Sequence, residues 1–246
     1  PDPTEEGGIL GSRLLDEHGL ELEQMIEKGS FGTALYNHAL TLKNKEDITA
    51  ADVDRLVEIF GAEPTFSPDM ATASAKYAKR RSNQTTQSGF LYEMRENAIT
   101  AKAAIEAGSE FNDVRDQALN DFMMNWEKSN FATVIYYCQA AKTGIQEATQ
   151  IQDETEQRAA LGSAMHAYAE GVGFTHGFRN IDEKFITDAE IDTILELLLA
   201  PVNEEPESYR FINEGLLLSN FDQIIEDIQT IYGFTDEEVQ GFYVNN

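Results

Sequence analysis

Asn112 to Ile145 read NDVRDQALNDFMMNWEKSNFATVIYYCQAAKTGI. Leu119, Phe122, Met123, Trp126, Val134 and Cys138 recur in this stretch at the three- and four-residue steps of one helix face. Neither Pro nor a turn cluster interrupts it, so the spacing predicts one long helix with a buried stripe. The rest of the chain follows the same period, and sustained period-two alternation is scarce.

Outward from that helix, the pattern predicts a first helix over about Asp16–Leu42, carrying Leu20, Phe31, Leu35 and His38. ITAADVDRLVEIFG predicts the next. Thr49 is its N-cap, Asp52 stands three residues on, and Gly61 closes it. Met70–Arg81 and Phe90–Ala107 follow, separated by the polar connection RSNQTTQSG. Beyond the long helix the expected segments are Asp153–Phe178, a helix opened by the capping box Thr187–Glu190, Ser208–Leu217 and Asn220–Tyr232. A short one starts with a second capping box at Thr235. The fold class is therefore all-α, with paired helices in bundles. The expected layout is a linker or trimmed start over 1–15, led by PDPTEEGG, then a single all-α domain over 16–246.

That domain is expected to hold two related halves, about 16–108 and 109–246. The sign of duplication is EKGSFGTALY from Glu27 and EKSNFATVIY from Glu127, which share Glu, Lys, Phe, Thr and Tyr at equal offsets. Each copy leads to a second helix with Phe and Gly near its end. The Tyr-to-Phe separation is 24 residues in the first copy and 38 in the second, a difference of one heptad per arm of a helical hairpin.

The chain has 246 residues, with 44 acidic against 18 basic and a formal net charge of −26. Such a field repels phosphate backbones and anionic membrane surfaces, which disfavours nucleic acid; cations, basic ligands or a saline setting suit it better. Cys138 is the only cysteine, which excludes an intrachain disulfide framework, a C-x-x-C metal site and covalent haem attachment. No apolar segment approaches the roughly 20 residues that span a bilayer. No H-E-x-x-H, G-x-S-x-G, P-loop or dinucleotide fingerprint occurs.

Two sets of residues are candidates for chemistry. Glu27 falls on one helical face with Phe31 and Ala34, and Glu127 with Met123, Phe131 and Val134. A carboxylate on an apolar stripe needs a partner. The pair is either a pseudo-symmetric metal- or proton-binding set, or two acids bonded to a Tyr, Lys or backbone group of a neighbouring helix.

The other set lies in LGSAMHAYAEGVGFTHGFR from Leu161, where Gly162, His166, Glu170, Gly173 and Gly177 share a face. His166 and Glu170, one turn apart, have donors suited to Fe or Zn. Tyr168 and His176 on the adjoining face are further ligand-contact candidates, and His176 joins the set only if the helix breaks at the glycines. The competing explanation is close packing of two helices on small residues.

GLELEQMIEKGSFGTALY, ITAKAAIEAG, WEKSNFATVIYY, HAYAEGVGFTHGFR, APVNEEPESY and the closing IYGF, in that order, resemble an uncharacterised family of bacterial envelope lipoproteins. The resemblance covers roughly Gly11 to Tyr243. It implies a helical, extracytoplasmic protein, with a lipid anchor in the precursor and envelope protein partners.

Members of that family accompany imelysin-like proteins associated with iron uptake, some of which are classed as peptidases. The imelysin G-x-H-x-x-E pattern is met imperfectly, because Gly162 and His166 are four apart and Glu170 follows at a further four. In the first half, only Asp54 and Phe60–Gly61 match the family's pattern.

Three functions are therefore expected in turn. The first is a non-enzymatic binding protein for a metal ion or iron-bearing ligand in uptake. The second is a structural or assembly protein docking partners through an acidic helical surface, and the third is an imelysin-like metallopeptidase.

Overall fold

A computed structural model of the chain describes residues 7–246. The fold is all-α, with one small sheet among the described residues. Its elements are strands β1 (Gly8–Leu10) and β2 (Arg13–Leu15), then helices α1 (Leu22–Ser30), α2 (Asn37–Lys43), α3 (Ala50–Phe60), α4 (Ala73–Arg80) and α5 (Phe90–Ala107). α6 (Asn112–Ala148) and α7 (Glu154–His176) are the two long helices. α8 (Asp188–Leu197), α9 (Arg210–Asn213), α10 (Ser219–Tyr232) and α11 (Asp236–Phe242) complete the chain. No helix among the described residues is long and apolar enough to cross a membrane.

Contacts divide the chain into two compact units, which do not follow the expected halves at 108/109. One comprises the segment ending at Gly29, Val134–Asn180 and Ile186–Tyr243; the other comprises Ser30–Thr133, Ile181–Phe185 and Val244–Asn246. The chain changes unit inside each copy of the repeat, at 29/30 and at 133/134.

In the second unit, α3 starts where its capping box dictates. Asp52 N–H donates to Thr49 Oγ1 at 3.3 Å, and Thr49 N–H donates back to Asp52 Oδ2 at 2.9 Å. Gly61 ends the helix at φ +99°; a Cβ there would lie 2.3 Å from the Thr72 carbonyl oxygen, so only glycine fits. The core is aromatic. Phe60 meets Trp126 edge-on with ring centroids 4.9 Å apart, and Tyr36 meets the same indole at 5.4 Å.

The first helix departs most from expectation. It begins at Leu22, because Asp16 folds the preceding residues into a side-chain-capped turn. Its Oδ1 accepts from the N–H groups of His18 and Leu20, at 3.0 and 2.8 Å.

After Ser30, Phe31–Tyr36 form a π-helical segment, in which Asn37 N–H reaches the Gly32 carbonyl five residues back. The buried stripe through this region is Gln24, Lys28, Phe31, Gly32 and Tyr36. Glu27 lies outside it.

The expected linker over 1–15 is corrected in part. Residues 1–6 lie outside the described residues, and 8–15 form a β-hairpin with Leu10 opposite Arg13 and Gly8 opposite Leu15. Gly11 takes φ +60° in its two-residue turn. The strands are three residues long, too short for alternation to show in a sequence.

A hairpin this small is marginal alone. Here Leu10 and Leu15 are buried, and Arg158 donates to the Ile9 carbonyl at 3.1 Å. Ser208–Leu217 is likewise not one helix. It holds a single α turn, α9, and a 3-10 turn at Gly215–Leu218.

Candidate functional site

Within the first unit, α7 carries Gly162, His166, Glu170, Gly173 and Gly177 along one face, as their spacing predicts. The helix runs unbroken through Gly171 and Gly173. The glycines are places of close approach. A Cβ on Gly162 would lie 2.3 Å from the Leu10 carbonyl oxygen, on Gly173 3.0 Å from Lys28 Cβ, and on Gly177 2.5 Å from the Gly29 carbonyl oxygen. The face therefore packs against the hairpin and α1, with no room for side chains at those points.

Between the glycines runs a chain of charges. His166 Nδ1 lies 2.6 Å from Glu21 Oε2, and Nε2 lies 3.7 Å from Glu170 Oε2. Lys28 Nζ stands 3.2 Å from Glu170 Oε1 and 2.8 Å from Glu27 Oε2. Arg13 approaches the other oxygen of Glu21 at 3.7 Å.

Acidic and basic groups alternate from Glu27 through Lys28, Glu170, His166 and Glu21 to Arg13. Glu21, Lys28 and Glu170 are all buried. Charges taken out of water need partners of opposite sign, and each of these has them.

The expected metal pair is thus brought together, with each member also paired to another charged side chain. Glu170 faces an ammonium, and the His166 nitrogen nearest a carboxylate faces Glu21. No group of three or more His, Cys, Asp or Glu side chains is arranged to hold a metal among the described residues. For Fe or Zn the set offers His166 Nε2 and Glu170 Oε2, while Lys28 neutralises the other oxygen of the same carboxylate.

Tyr168 is buried at the back of α7. Its hydroxyl donates to the Leu198 carbonyl at 2.6 Å and lies 2.8 Å from Ser208 Oγ. Burial pushes its phenol well above the ordinary range. These hydroxyl bonds fasten the Leu198–Ser208 segment. His176 is exposed, because the unbroken helix keeps it off the glycine face.

Glu27 and Glu127 part company. Glu27 is half-exposed and paired to Lys28. Glu127, in the second unit, is 1% exposed; its Oε2 accepts from Phe185 N–H at 2.8 Å and from the Tyr36 hydroxyl at 3.4 Å. It is the acid bonded to a Tyr and a backbone group, holding the 181–185 segment. Burial, then the Glu127 charge, raises the Tyr36 phenol well above its usual value.

Three participants escape a sequence reading. Glu21, Lys28 and Arg13 belong to a turn, a helix and a strand whose meeting on α7 has no local signature. A signal did exist at Lys28: it falls four residues after Gln24 and three before Phe31.

Beside this network lies a cleft of about 570 Å³, walled by the hairpin and the start of α1 and lined by Arg13, Leu14, Asp16, Glu21, Leu22 and Glu23 among others.

No protein-family model matches the chain, and neither a curated protein nor a solved structure matches it at a significant level.

Proposed function

We propose that this chain is a non-enzymatic assembly protein of the bacterial envelope, docking protein partners through its acidic surface. In this reading the His–Glu–Gly face is the seam that fastens α7 to α1 and the hairpin. The observation that supports it is the Lys28 ammonium, 3.2 Å from Glu170 Oε1, which pairs one oxygen of the carboxylate a metal would use. A net charge of −26 supports recognition of basic partners. The extracytoplasmic setting rests on the resemblance to envelope lipoproteins.

Metal analysis of the purified protein, with His166→Ala as control, tests the reading. The expected result is sub-stoichiometric Fe and Zn in both proteins, with no rise in Tm on adding either ion. Stoichiometric metal that His166→Ala removes would overturn it in favour of a metal or iron-bearing ligand in uptake. Casein turnover abolished by a chelator would overturn it in favour of the metallopeptidase.

A further inference from the structure

The hairpin beside the cleft has an unusual outer side. Its turn has two residues, so Leu10 and Arg13 form the hydrogen-bonded closing pair, and Ile9 and Leu14 form a non-hydrogen-bonded pair. The N–H and C=O of Leu14 therefore point away from β1, along the open edge of β2. Neither makes a hydrogen bond among the described residues.

Four apolar side chains accompany this edge. Leu14 is 70% exposed and Ile9, opposite it on β1, 64%; Leu22 across the cleft is 51% exposed and Ile26, one turn along α1, 75%. Surface leucines and isoleucines are ordinary singly, but here Ile9 beside Leu14, and Leu22 across the cleft with Ile26 one turn further on, accompany an unpaired strand edge. Carboxylates border the strip. Asp16, Glu21 and Glu23 line the cleft against the single guanidinium of Arg13, and Glu27 follows Ile26. Glu23 makes no ion pair among the described residues.

Resting on the docking reading, we infer that the β2 edge and the Ile9–Leu14–Leu22–Ile26 strip bind an extended segment of a partner protein, one that alternates apolar and basic residues. The partner would add a third strand, exchanging two backbone hydrogen bonds with Leu14. Its apolar side chains would cover Leu14 and Leu22. Its basic residues, on the opposite phase, would meet Glu23 and Asp16. An unpaired edge calls for a strand in place of a helix, and the surplus of carboxylates calls for lysine or arginine.

The test is fluorescence anisotropy on the full chain with a short labelled peptide alternating valine and lysine, and with its valine–glutamate counterpart. The lysine peptide is expected to bind and the glutamate peptide not to. Leu14→Asp should weaken binding about tenfold, and Ile26→Asp should weaken it too, although both add negative charge.

Because both side chains are exposed, the variants should keep the wild-type far-UV CD spectrum and Tm. Unchanged or tighter binding by Leu14→Asp would overturn the inference, since that is how an unspecific charge encounter behaves. Self-association of the wild type that Leu14→Asp abolishes would also overturn it, by making a second copy the occupant. Metal content of the same preparations tests the docking reading separately.

Discussion

Glu27–Tyr36 and Glu127–Tyr136 share five residues at equal offsets, yet each buries the opposite member of its Glu-Lys pair. In the first copy Lys28 is 4% exposed and Glu27 is outside; in the second Glu127 is 1% exposed. Adjacent residues on a helix differ by about 100°, so a small rotation of the buried face decides which charge goes in.

Each interior then supplies the complement. Lys28 meets Glu170, and Glu127 meets a backbone N–H and a phenol. The copies also differ in shape. The first contains Gly29 and Gly32 and passes into a π segment, whereas the second, with Ser129 and Ala132, stays within one α-helix of 37 residues. What a repeated motif conserves here is helix and stripe; the role of a given charge is set by what packs against it.

The sharpest way to break this comparison is to remove each charge in turn. Lys28→Met leaves buried Glu170 with only the His166 imidazole at 3.7 Å and should cost about 3 kcal/mol in urea unfolding. A Lys28→Met/Glu170→Gln double variant should recover part of that loss. Glu127→Ala should cost about 3 kcal/mol, because Phe185 N–H and the Tyr36 hydroxyl lose their acceptor. Glu27→Ala, at the half-exposed counterpart, should cost no more than about 1 kcal/mol. Equal losses at Glu27 and Glu127 would mean that the two copies are equivalent after all.

A smaller effect separates glycines that pack from glycines that only permit packing. In Gly177→Ala the new Cβ meets the Gly29 carbonyl oxygen at 2.5 Å, so α1 or α7 must shift, at about 2 kcal/mol. Gly29→Ala makes the first copy resemble the second, which has Ser129 there. Its Cβ finds only ordinary contact, 3.6 Å from the Gly173 carbonyl oxygen. Helix propensity then favours the variant by up to about 1 kcal/mol. Thermal unfolding of the two variants should shift in opposite directions.

The smallest expected effect lies in the cap of α3. Hydrogen bonds from Lys45, then Thr49, lower the Asp52 carboxyl from its ordinary 3.8 to about 2. A depressed folded pKa stabilises above the unfolded value, so this contribution is whole above about pH 4 and fades as pH falls through 2. An NMR titration should place the Asp52 carboxyl near 2, and Asp52→Asn should remove the corresponding step from stability below pH 4.

Much of the fold is legible in the residues. Phe90–Ala107 forms as its pattern predicts, α6 starts at Asn112, and the capping boxes at Thr49, Thr187 and Thr235 open helices. These features are local, fixed by side chains three or four positions apart. The hairpin was not legible, since three-residue strands leave no period.

The start of α1 was lost to a competing turn at Asp16. At the candidate site, the face shared by Gly162, His166, Glu170, Gly173 and Gly177 was legible, because helical geometry alone places those residues in line. Its occupant was not. Nothing within α7 says that Lys28 and Glu21 arrive opposite it.

By itself, then, the sequence determined an all-α chain, its main helix boundaries, its strong negative charge and the small-residue face of α7. Each follows from composition or from periodicity along one segment. Only the tertiary structure decided that Lys28 would neutralise Glu170, that Glu127 and not Glu27 would be buried, and that β2 would keep an open edge. Those outcomes depend on a balance between desolvation and pairing, summed over groups more than 100 residues apart in the case of His166 and Glu21. A charge becomes a ligand, a lock or a solvated surface group according to the partner that reaches it.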